Sequence, residues 1–211
     1  PLATAMTLNY MSGVWVAAFL VGSTIFLGSL KDAKRQIPVA LTVLAGFAGV
    51  VMTLRPTFEQ NQILAGLIGV ASGMIAAMAY LQVAALGKVG EPVERTVFYF
   101  SLGAAVAGGL CMLLFGVSEW HWPAAVWLLP IGILAVLGQW CMTQAYTDGA
   151  TIVVANLQYA GIVFSALFGL VLFGDQIPFI GWAGMCLIVL SGFAATALRD
   201  KSLVKVPTED H

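Results

Sequence analysis

Residues 3–26 read ATAMTLNYMSGVWVAAFLVGSTIF, and residues 150–173 read ATIVVANLQYAGIVFSALFGLVLF. At a constant offset of 147, Ala3/Ala150, Thr4/Thr151, Asn9/Asn156, Val16/Val163, Leu20/Leu167, Gly22/Gly169 and Phe26/Phe173 are identical. Seven matches in 24 positions exceed the roughly three that so narrow an apolar alphabet gives by chance. Each stretch is uncharged and long enough, as a helix, to cross a hydrocarbon core of about 30 Å.

The rest of the chain agrees with a membrane setting. Of 211 residues, 60% are hydrophobic and 9% charged, and the mean hydropathy is +0.95. Soluble domains carry about 25% charged residues. A soluble fold of this size would have to hide nearly every side chain, which surface-to-volume scaling forbids. A net charge of −1 argues against a nucleic-acid partner, which calls for a basic patch. Cys111, Cys141 and Cys186 sit in apolar runs without metal-ligand spacing and read as small core hydrophobes. No metal or cofactor is expected. No basic segment precedes a short apolar core, so no cleavable signal is expected, and Pro1 in place of Met fits the expectation of a fragment.

Charges, prolines and turn residues divide the chain into seven spans, at Ala3–Leu27, Pro38–Leu54, Gln62–Gly87, Thr96–Val117, Pro123–Tyr146, Ala150–Phe173 and Pro178–Leu198. Continuous apolarity without period-two alternation makes them helices, and the fold class all-α and polytopic. Pro38, Pro123 and Pro178 stand at span starts, and Pro130 inside the fifth span should kink it. When the spans alternate, Lys31, Lys34, Arg35, Lys88, Arg95, Arg199, Lys201 and Lys205 fall on one side and Arg55 alone on the other. Eight against one is a strong positive-inside bias and puts the tail after Leu198 in the cytoplasm. The first span then runs inward and the sixth outward, so the two copies are inverted.

The repeat continues into the next helix. Gln36-Ile37-Pro38 opens the second span as Gln176-Ile177-Pro178 opens the seventh, and Gly46-Phe47-Ala48 recurs as Gly192-Phe193-Ala194. Spans one and two thus match spans six and seven, while spans three to five have no upstream counterpart. Five helices per repeat make a ten-helix bundle, of which three would precede Pro1. Inverted repeats of this kind characterise secondary transporters, whose solute site lies near the bilayer midplane between the copies.

Several stretches resemble the EamA-type transporters of the drug/metabolite transporter superfamily. Gln139 through Thr143-Gln144-Ala145-Tyr146, then Asn156, Gln158 and Tyr159, and on to Phe173-Gly174-Asp175, are similar to that family's eighth and ninth helices. Asp175 stands where the family usually ends on Glu, and Gln144 where related sequences often carry a basic residue. The first span, entered at Pro1-Leu2-Ala3-Thr4-Ala5, resembles the fourth helix, although its exit Leu27-Gly28-Ser29 lacks the usual acid. The resemblance covers essentially the whole chain and implies ten helices in two inverted sets of five. On it, residues 1–57 are the last two helices of the first repeat, 58–199 the complete second repeat, and 200–211 a cytoplasmic polar tail. It further implies a bacterial inner membrane and efflux of an amino acid or related metabolite.

No charged residue lies well inside a span, so no proton-coupling carboxylate is visible. His121, between Trp120 and Trp122, reads as part of an interfacial aromatic cluster, and His211 as inert tail. The intramembrane polar residues remain. Gln139, Thr143 and Tyr146 recur on one face of the fifth span, Asn156 and Tyr159 on the sixth, and Asn9 and Ser12 are their counterparts in the first. These seven are the candidate solute-binding residues, with helix–helix glue as the bland alternative. Tyr80, Gln82, Trp15 and Trp140 are weaker candidates, and Gly69 with Gly73 and Gly161, Ser165 and Gly169 are packing faces. A cavity of amides, hydroxyls and rings suits a small neutral or zwitterionic solute. The expected partners are lipid and that solute, and a homodimer is left open. A truncated, non-transporting remnant is the main rival. A membrane-embedded enzyme is the weakest reading, because the chain lacks a His, Asp, Glu or activated-Ser constellation, and no catalytic residue is assigned.

Overall fold

The computed structural model describes residues 2–27, 30–56, 63–116 and 122–203, and all regular structure among them is helical. Helices α1 (Leu2–Tyr10) and α2 (Ser12–Leu27) form the first span; α3 (Leu30–Leu54), α4 (Ile63–Lys88) and α5 (Val93–Phe115) follow. After the short α6 (Trp122–Ala125) come α7 (Leu128–Asp148), α8 (Thr151–Leu157), α9 (Ala160–Phe168) with a π-helical turn over Gly169–Phe173, and α10 (Phe179–Leu203). Seven stretches are long and apolar enough to cross a bilayer, each within a few residues of the span expected from sequence apart from the later start of the fifth. Their outward faces carry large bare apolar side chains, among them Leu113, Leu114 and Phe115 on α5 and Leu129 and Leu134 on α7. Surfaces of that kind are solvated by lipid, and helices are the form that satisfies every backbone group there. The chain is an all-α, multi-pass membrane protein.

Three prolines sit differently from expectation. Pro38 lies inside α3 and not at its start, because the polar turns from Leu30 are already helical ahead of the apolar part at Gln36. Pro123 belongs to α6, and the long helix of the fifth span begins at Leu128. Pro130 therefore falls in the first turn of α7, where a missing N–H leaves no bond unmade and the expected kink has no cause. Pro1, Gly28, Ser29, Trp120, His121, Lys205 and His211 lie outside the described residues.

The chain divides into two compact units. One spans Gln82–Gly149, the end of α4 with α5 to α7; here the α4 backbone at Gly87 meets α7 closely, and a Cβ on that glycine would sit 2.9 Å from Thr147 Cα. The other combines α1 to α3, α4 up to Leu81, and α8 to α10. Its backbone contact is tightest where α3 and α10 cross. A Cβ on Gly49 would come 2.6 Å from the Gly184 carbonyl, and one on Gly184 equally close to the Gly49 carbonyl. Further along, Thr53 meets Gly184 and Gly46 meets Ser191, so rising numbers on α3 pair with falling numbers on α10. Spans two and seven are antiparallel, joined through small residues as helices in lipid commonly are. Gly69 and Gly73 do the same for α4, where added Cβ atoms would lie 2.5 Å from Leu8 Cδ1 and 2.7 Å from the Leu8 carbonyl.

Candidate functional site

The first and sixth spans are both interrupted, and at matching positions. Met11 separates α1 from α2, with i→i−4 bonds kept on either side (Met11 N to Thr7 O and Trp15 N to Met11 O, both 3.1 Å). Gln158 and Tyr159 separate α8 from α9, and there the bonding tightens to i→i−3: Tyr159 N to Asn156 O at 3.1 Å, Gly161 N to Gln158 O at 3.2 Å and Ile162 N to Tyr159 O at 3.0 Å. The offset of 147 carries Met11 onto Gln158 and Ser12 onto Tyr159.

The two copies also cross there. Tyr10 lies against Gly161, Gly13 against Tyr159 and Ala155, and Val16 clusters with Ala155. The numbering runs oppositely on the two helices, and the crossing is centred on the equivalent pair Ser12 and Tyr159. At the centre a methyl on Gly13 would collide with the Tyr159 hydroxyl. From α3, a Cβ on Gly46 would lie 2.7 Å from Tyr159 Cδ2, 2.8 Å from Asn156 Oδ1 and 2.8 Å from Ser191 Oγ. Glycine at both positions lets the Tyr159 ring fill the crossing, edge-on to Tyr10 at 6.3 Å and tilted against Phe47 at 6.5 Å.

Of the seven candidates, the structure brings Ser12, Asn156 and Tyr159 together here, all buried. Asn156 is fully bonded: its Nδ2 donates to Thr42 Oγ1 (3.0 Å) and to the Ser191 carbonyl (3.1 Å), and Ser191 Oγ donates to its Oδ1 (3.1 Å). Thr42 passes its own proton to the Val39 carbonyl at 2.6 Å. One amide thereby ties α8 to both α3 and α10, and its other side borders a cavity of about 270 Å³ lined by Leu157, Ala160, Ile188, Gly192 and Thr196. Asn9, its sequence counterpart, is exposed. Gln139, Thr143 and Tyr146 share one face of α7 in the other unit, the last two buried and Gln139 half-buried.

Tyr10, Tyr80 and Gln158 belong to the crossing but were not among the seven. Gln158 Nε2 donates to the Tyr80 hydroxyl at 3.0 Å, and the Tyr10 ring lies edge-on to Tyr159. Their signal was adjacency to the repeated Asn9 and Asn156 and, for Tyr80, a polar ring in mid-span. Trp15 Nε1 and the Tyr159 hydroxyl are buried with no hydrogen-bond partner among the described residues. Leaving such a donor unmade costs about 1–3 kcal/mol, so two of them at one crossing mark a place suited to a ligand. The described residues hold no cluster of His, Cys, Asp and Glu able to bind a metal.

Comparison with known proteins bears on this arrangement. No protein-family model matches the chain. It is 30% identical over 205 residues to the pseudopaline exporter CntI of Pseudomonas aeruginosa, covering 94% of this chain and 67% of that one. It is 27% identical over 169 residues to an uncharacterised transporter of Helicobacter pylori, covering 77% of this chain and only 56% of that relative's length. A crystal structure of a further protein superposes with a TM-score of 0.72 over 94% of this chain and 69% of its own, at 24% identity, which shows a shared fold.

Proposed function

This chain belongs to the transporter family that includes the pseudopaline exporter CntI, and from that premise we propose that it carries a small neutral or zwitterionic metabolite across the membrane by alternating access. The observation that supports this most is the pair of interrupted helices, equivalent by repeat, crossing where no charge is present. In transporters built from inverted repeats, discontinuous helices near the midplane form the solute site, and one repeat rocks against the other. The break at Met11 lies within about 5 Å of the middle of its span at the helical rise of 1.5 Å per residue.

The finer reading is an EamA-type member of the drug/metabolite transporter superfamily. In that ten-helix frame this chain supplies the last seven, with its C-terminal tail in the cytoplasm of a bacterium and its solute moving outward, as the exporter's name suggests for that relative. Ser12, Asn156 and Tyr159 line the site at the crossing, with Asn9 at its edge, and Gln139, Thr143 and Tyr146 form a separate polar face on α7 that is a second candidate for solute contact.

The test is flux from proteoliposomes containing the intact protein and loaded with amino acids and related metabolites, read by mass spectrometry. At least one solute should leave faster than from protein-free vesicles, and Asn156→Ala and Tyr159→Phe should each slow it. Unchanged flux in both variants would make the polar face helix glue. No flux of any solute would overturn transport.

A further inference from the structure

The crossing has a chemistry more specific than "small and neutral". Its two buried donors without partners among the described residues, Trp15 Nε1 and the Tyr159 hydroxyl, flank the two interruptions, Trp15 one turn beyond Met11 and Tyr159 within the second. An indole N–H can only donate, and a phenol O–H can donate as well as accept. Around them stand Tyr10, edge-on to Tyr159 at 6.3 Å, and Tyr80, held by Gln158 at 3.0 Å and clustered with Trp15. Residues 3–26, 63–87 and 151–173 contain no Asp, Glu, Lys, Arg or His. An ionic head buried there would find no counter-charge on these helices, a heavy penalty in a dry interior. Aromatic walls reward a flat ring, and unmade donors reward an acceptor oxygen.

We propose that the solute taken at this crossing is an uncharged, planar ring compound bearing carbonyl acceptors. Tyr159 and Trp15 donate to its oxygens while Tyr10 and Tyr80 cover its faces. The inference rests on the carrier reading and narrows it, setting flat lactams and related heteroaromatics above aliphatic zwitterions as the preferred class. Tyr159 is 1% exposed in this conformation, so the ring enters as the segments on either side of the breaks swing apart.

The test measures binding to the intact protein in nanodiscs, with empty nanodiscs as blank. The probes are 2-quinolone (a flat uncharged lactam), ε-caprolactam (a puckered one) and L-leucine. 2-Quinolone should bind more tightly than either of the others. Tyr159→Phe and Trp15→Phe should each weaken it by about three- to tenfold, the worth of one hydrogen bond. Because the Tyr159 hydroxyl bonds nothing among the described residues, Tyr159→Phe should not lower the unfolding temperature, whereas a structural role for that group would. Tighter binding of leucine or caprolactam, or unchanged 2-quinolone binding in both variants, overturns the proposal. If a metabolite crosses the proteoliposome membrane while 2-quinolone does not bind, this inference fails and the carrier reading stands. If 2-quinolone binds through Tyr159 while no metabolite crosses, the site stands and the carrier reading fails.

Discussion

Gly46 is the residue on which the crossing depends most. Three groups from two neighbouring spans crowd its missing side chain: the Tyr159 ring, the Asn156 amide and the Ser191 hydroxyl, all under 3.0 Å from where a Cβ would stand. Gly46→Ala should destabilise the protein by about 1–3 kcal/mol, the usual cost of overpacking a filled core. Gly22→Ala, with nothing within 4 Å, should not; thermal unfolding of both variants in detergent checks the contrast. The same scale explains why Asn9 and Asn156, equivalent in sequence, have different surroundings. The positions that mirror Thr42 and Ser191 at the offset joining Gly46 to Gly192 are Ile188 and Ala45, which offer no polar side chain. Identity at a repeat offset identifies related positions; a hydrogen bond also needs partners on other helices, and only one copy has them.

At the scale of elements, hydrophobic length located seven spans, because an uninterrupted apolar run in lipid has few options other than a helix. It did not locate the interruptions. Neither Met11 nor Gln158-Tyr159 contains glycine or proline, so no local signal announces a break, and only the antiparallel crossing explains their placement. Prolines misled in the opposite direction: Pro38 sits within a helix and Pro130 at the start of one, since the polar or aromatic residues before an apolar run can be helical or not. If the breaks are intrinsic weak points, amide exchange in nanodiscs should be faster at residues 11–13 and 158–161 than at 17–20 and 162–165. Uniform protection along both spans would mean that the helices are continuous in practice.

For the whole molecule, the charge bias and the repeat pointed to inversion by separate routes, and the antiparallel runs of α3 against α10 and of the first span against the sixth accord with it. Composition alone pointed to a membrane fold, whereas solute class was not legible, because it depends on which polar atoms are left without partners after packing. The central claim is that Ser12, buried at the crossing, becomes open to each side of the membrane in turn. Cys111, Cys141 and Cys186, expected in a core, are instead exposed on apolar outer helix faces, so the most direct measurement uses the intact protein in oriented vesicles with these three replaced by alanine and Ser12 by cysteine. A membrane-impermeant methanethiosulfonate reagent is then applied from one side or the other. Alternating access predicts labelling of Ser12→Cys from both faces; labelling from one face only, or from neither, would contradict it.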